Sequence, residues 1–109
     1  MICGVRLYRD GAPFVFAANR ISTLFLPHLQ RMEGFRGVLL VRFGDDGGAG
    51  GLGVIAFDTP EQLEAANLAA ASWAEHHLSD LVGSLQPSEL FPAEVLMAAG
   101  TLAPPGPGE

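Results

Sequence analysis

A chain of 109 residues carries enough sequence for one ordinary domain, and its 49% hydrophobic and 17% charged content is apolar for a small lone protein. The net charge of −6 argues against nucleic acid as a partner, because phosphate repels an acidic chain. No apolar run approaches the roughly 20 residues a membrane-spanning helix needs; MICGVRLYRDG has no signal-peptide pattern, and Cys3 is the lone cysteine, so a cytoplasmic protein without disulfides or membrane contact is expected.

The charge is unevenly spread. All six basic residues are arginines within the first 42 positions, beside only Asp10 and Glu33, whereas residues 43–109 hold ten acids and no lysine or arginine. Either the halves interleave in one fold or they meet across a subunit interface.

Ile2 to Tyr8 alternates as a strand, with Cys3, Val5 and Leu7 on one face and Ile2, Gly4, Arg6 and Tyr8 on the other. Asp10-Gly11 and Pro13 end it. From Phe14 to Met32 the period turns helical, with Ala17, Ile21, Leu24, Phe25, His28 and Leu29 in one stripe. Pro27 removes a backbone donor, so a kink is expected over Thr23 to Leu26. Gly34 suits a left-handed helix cap.

Gly37 to Phe43 reads as a second strand, apolar on both faces. Gly44 to Gly51 reads as a solvated hairpin loop; Asp45-Asp46 alone make a poor cation site, and no metal is expected. Leu52 to Phe57 is a third strand. Thr59-Pro60-Glu61-Gln62 is a capping box with proline at the first helical position, opening a helix to about Val82. Its stripe is Leu63, Ala66, Ala70, Trp73, His77, Leu78 and Leu81. Ser84 to Phe91 reads as a connection, Ala93 to Ala99 as a fourth strand, and residues 101–109 as a disordered Pro/Gly tail outside a single domain of residues 1–100.

The order βαββαβ specifies an α+β, ferredoxin-like fold: a four-stranded antiparallel sheet with both helices on one face. Two helices leave the other sheet face bare. An apolar patch of that kind is rare on monomers, so a two-fold homodimer through the sheet face is expected.

MEGFRGVLLVRF after a proline-interrupted helix, then a glycine loop, a strand, a polar turn opening a helix and a final Glu94-Val95-Leu96 strand resemble the dimeric α/β-barrel superfamily. More narrowly they resemble the small proteins related to antibiotic biosynthesis monooxygenases. Glu33-Gly34-Phe35-Arg36-Gly37 is the most specific part, with Gly34 as the turn, Phe35 as an anchor and Gly37 permitting close packing. The resemblance implies a barrel dimer with a ligand cleft between each sheet and its helices, and no required cofactor.

Candidate site residues are few. Trp73, His77 and His28 could line a cleft for a small apolar or aromatic ligand, with His77 as a candidate base. By sequence, Trp73 is more often a core residue than a ligand platform, and His77 more often a partly buried structural histidine than a base. His76 and His77 stand about 100° apart on the helix and cannot share one metal. Heme-degrading members of the superfamily use an Asn, a Trp and a His; strand one has no Asn, Asn19 and Asn67 being on helices, and the Trp–His spacing differs. Arg6 and Glu94 could pair across neighbouring strands, because a buried charge needs a partner. Three functions fit: binding a small apolar ligand, cofactor-independent oxygenation of an aromatic or quinol-like substrate, or a non-catalytic structural or regulatory homodimer.

Overall fold

The computed structural model describes residues 1–9, 17–44, 50–79, 87 and 89–100. The expected turn at Asp10-Gly11, Phe14, the Asp45-Asp46 loop, Leu81 and the 101–109 tail lie outside the described residues. Strands β1 (Ile2–Tyr8), β2 (Phe35–Phe43), β3 (Gly50–Phe57) and β4 (Glu89–Glu94) form one antiparallel sheet in the order β2-β3-β1-β4. Helix α1 is described over residues 17–31, and helix α2 spans Pro60–His77. The order and pairing are ferredoxin-like.

Register decides which face each strand buries. Ile2, Gly4 and Arg6 lie opposite Phe57, Ile55 and Gly53, and these share the helix-covered face with Phe35, Val38 and Leu40. The core is Phe25 and Leu29 from α1, Ile55 and Phe57 from β3, and Leu63 and Ala66 from α2. Leu39, Val41 and Phe43 fall on the opposite face, where no described helix covers them, and they are 39%, 40% and 44% exposed. The doubly apolar second strand thus buries one row and presents the other. The arginine-rich and acidic halves interleave within one fold: Arg36 in β2 is paired with Asp58, just past the end of β3.

Pro27 acts where expected. Without its N–H, the carbonyl of Thr23 loses its usual partner, and the preceding turn widens to a π-helix over Ile21–Phe25, with the Leu26 N–H donating to Ile21 O. Ser22 and Thr23 hydroxyls donate to the carbonyls of Ala18 and Asn19 at 2.7 and 3.0 Å. The stripe keeps Ala17, Phe25 and Leu29 buried but leaves Leu24 54% exposed.

The turn between α1 and β2 joins two sequence signals. Gly34 adopts φ +82°, and its carbonyl accepts from Asp58 N–H at 3.0 Å. The Thr59–Gln62 capping box forms with both bonds, at 3.1 and 3.2 Å. The Gln62 side chain lies over Gly34, where any Cβ would strike it. Phe35 packs edge-on against Phe57, ring centres 5.7 Å apart. Gly37 does not serve close packing within the chain, since a Cβ there meets nothing within 4 Å; it follows an irregularity between Phe35 and Gly37 and lies on the bare face.

Four boundaries differ from the sequence reading, the first being β2, which begins at Phe35 rather than Gly37. Gly50 and Gly51 belong to β3, where a Cβ on Gly50 would strike the Tyr8 carbonyl. Helix α2 ends at His77, short of Val82; Arg20 Nη1 donates to the His77 carbonyl at 3.1 Å and the Leu78 side chain turns into the protein. The fourth strand is Glu89–Glu94 rather than 93–99. Pro87 and Pro92 disguised it as a connection, yet an edge strand tolerates proline. It stops at Glu94 because Glu94 already faces Ile2, and Met1 O takes the last bond from Val95 N–H. Beyond that β1 offers no backbone, and Leu96 and Met97 stand 89% and 87% exposed.

Candidate functional site

Helices α1 and α2 meet along an aromatic ladder. The widened turn places Phe25 inward, with His28 one turn on; their ring centres are 5.8 Å apart. Phe25 lies 5.1 Å from Trp73, and Trp73 stacks on His77 at 4.9 Å with an interplanar angle of 12°. The second contact follows from helical spacing, because residues four apart share a face. Phe25 is buried, Trp73 half-buried, and both His28 and His77 exposed.

These rings border an open groove of about 510 Å³ between the two helices, with Leu24 and Ala69 completing the apolar wall and Ser72 and His76 at its margin. The structure therefore brings Trp73, His77 and His28 to one place. It also relocates the expected cleft: this groove is walled by helices alone, whereas the space between sheet and helix is a smaller cavity of about 260 Å³ beneath α2, away from Trp73. Exposed aromatic rings beside a groove are contact surface for flat apolar molecules.

The histidine protons are fixed by their partners. His77 Nδ1 lies 3.1 Å from the Trp73 carbonyl, and His76 Nδ1 lies 2.8 Å from the Ser72 carbonyl. A carbonyl only accepts, so each Nδ1 carries hydrogen and each neutral ring presents Nε2 as acceptor. No group of three or more His, Cys, Asp or Glu suited to a metal ion occurs among the described residues.

Other polar candidates resolve differently. Arg6 does not pair with Glu94 within the chain: the register sets Arg6 opposite Leu90 and Glu94 opposite Ile2, four residues away. Arg6 instead donates to Asn67 Oδ1 at 2.8 Å, a partner the sequence reading missed. The signal was present, since Asn67 follows Leu63 by one helical turn and lies next to Ala66 on the sheet-facing side. Asn19 is exposed on α1, so neither asparagine supplies an unengaged amide on strand one. Burial pushes the Tyr8 phenol above its usual range, the Arg6 charge opposing part of that rise. Cys3 is buried.

Solved structures support the same fold. The chain superimposes on a single-residue variant of MhuD with two manganese protoporphyrin IX bound per active site, at a TM-score of 0.66 and 20% identity, covering 93% of this chain and 100% of that one. It also superimposes on a dimeric ferredoxin-like protein from an uncultured marine organism, at a TM-score of 0.63 and 8% identity, covering 90% of this chain and 95% of that one. Neither a protein-family profile nor a curated protein matches the sequence. These likenesses and the strand order show a ferredoxin-like fold. Among the described residues, no helix is long and apolar enough to cross a membrane.

Proposed function

We propose that this protein binds a flat aromatic or apolar small molecule in the groove between α1 and α2. The observation that carries this reading is the His28–Phe25–Trp73–His77 ladder, whose half-buried Trp73 and exposed histidines border the open groove. A ligand ring laid along Leu24, Ala69 and Trp73 exchanges exposed apolar surface for stacking contact. A protein of the same fold that binds planar porphyrins makes a flat ligand reasonable; the Asn–Trp–His set of heme-degrading relatives has no counterpart on β1 here, so no heme chemistry is assigned.

The working unit is a homodimer. Leu39, Val41, Phe43 and Phe91 give the bare sheet face its exposed apolar rows, and a second copy of the same face is the simplest cover. The similar dimeric ferredoxin-like protein supports that arrangement.

One observation favours a second, catalytic reading. His77 offers Nε2 as a proton acceptor beside Trp73, as a cofactor-independent oxygenase of quinol-like substrates would require. Titration with 1,4-naphthohydroquinone under nitrogen tests binding, and oxygen uptake tests turnover. Binding is expected to raise Tm in the wild type and not in Ala69→Phe, which fills the groove. No Tm shift in the wild type overturns the binding reading. Oxygen uptake above the uncatalysed rate that is lost in His77→Ala and leaves an oxygen atom from O2 in the product would make the protein an oxygenase; uptake that yields only quinone and hydrogen peroxide, or no uptake, overturns the oxygenase reading.

A further inference from the structure

We propose that residues 95–100, which follow β4, are an exchanged arm that closes the β2 edge of a second copy, with Glu94 meeting the partner's Arg42. The inference rests on the homodimer reading above; it adds which segment crosses and where it lands.

The arm has little to hold it in its own chain. The last bond to the sheet past Glu94 is Val95 N–H to Met1 O, and β1 has no backbone further on. Yet Val95, Leu96, Met97, Ala98 and Ala99 are apolar throughout. Leu96 and Met97 are almost wholly exposed, and these two leave about as much of themselves in water as Leu39, Val41, Phe43 and Phe91 do together. Four partly exposed side chains supply less than the roughly 800 Å² per partner that a stable interface buries, and the arm about doubles their contribution.

Strand order and register say where the arm can land. β4 and β2 are the two edges of the sheet, and each has one hydrogen-bonded neighbour among the described strands. Glu94 is level with Ile2 at one end of β1, and Arg42, through Gly51, is level with Tyr8 at the other. The two residues therefore mark diagonally opposite corners of the sheet. Stack two bare faces about a two-fold axis lying along the other diagonal, and the strands cross at near right angles while these corners exchange. The Glu94 corner of one copy then falls on the Arg42 corner of its partner. Strands that pass from one sheet to the other make the corners of such packings, and the arm is the segment placed to do so.

The charges agree with this placement. Arg42 and Glu94 are both exposed, and neither has a partner among the described residues. Both lie on the helix side of their strands, outside the stacked faces, so their pair stays wetted and neither charge is buried. An exposed pair adds little stability but selects the register in which opposite charges meet.

Sedimentation of the full chain tests this. Leu96→Asp combined with Met97→Asp alters side chains that the lone chain leaves in water, so the far-ultraviolet spectrum is expected to stay native while dimerisation weakens at least about tenfold. Arg42→Glu and Glu94→Arg are each expected to weaken self-association about fivefold or more, because each sets like charges together at both corners. Their equimolar mixture is expected to associate as the wild type does, since the mixed dimer pairs opposite charges at both corners. A mixture that associates no better than either variant alone, or an unchanged dimer in the Leu96, Met97 variant, overturns the arm and leaves the sheet-face dimer standing. A wild-type chain that stays monomeric at every concentration overturns both.

Discussion

Replacing Gly34 with alanine tests how the α1–β2 turn and the α2 cap depend on each other. At φ +82° a Cβ costs about 1 kcal/mol or somewhat more. The same Cβ strikes the Gln62 side chain, whose Oε1 accepts the Thr59 N–H. Displacing it forfeits half of the capping box, about another 1 kcal/mol. Gly34→Ala is thus expected to cost about 2–3 kcal/mol, and Gln62→Ala about 1 kcal/mol alone. In the Gln62→Ala background the clash is gone, so Gly34→Ala should cost only the backbone share, a coupling of about 1 kcal/mol. Urea unfolding at one fixed protein concentration measures all four variants, a fixed concentration being needed because association adds to apparent stability. Additive effects, with no coupling between positions 34 and 62, would refute the steric link.

Other consequences follow from burial and register. Val41→Glu places a charge in the bare sheet face and is expected to weaken dimerisation at least about tenfold by sedimentation while the far-ultraviolet spectrum stays native; an unchanged dimer would remove that face from the interface. Tyr8 is the one tyrosine, and its folded phenol titrates above its ordinary 10.0 because burial disfavours the phenolate. Its share of stability is complete below pH 10 and is lost as pH rises through the folded value, so wild-type stability should fall more steeply there than that of Tyr8→Phe; parallel curves would contradict the burial.

The fold was legible wherever local chemistry and periodicity agreed. Ile2–Tyr8 alternates cleanly and is the observed strand; Thr59, Pro60 and Gln62 start α2 where their side chains dictate; Pro27 widens the turn before it. The end of the sheet was not legible, because β4 is bounded by where β1 runs out at Ile2, a long-range fact that Pro87 and Pro92 obscured locally. The ladder was half legible: Trp73 and His77 share a stripe by spacing, but Phe25 joins them only through helix packing. Arg6 was rightly singled out as a charge needing a partner, and the partner was missed because neighbouring strands suggested Glu94 while register and helix placement supplied Asn67.

Trp73 is the single tryptophan, so its fluorescence reports on the groove alone. The most direct measurement is an anaerobic titration of the wild type and Ala69→Phe with 1,4-naphthohydroquinone, followed through that emission. Saturable quenching in the wild type and none beyond inner-filter loss in Ala69→Phe is the predicted result. Identical curves for the two proteins, or no saturation in the wild type, would contradict a ligand site between α1 and α2.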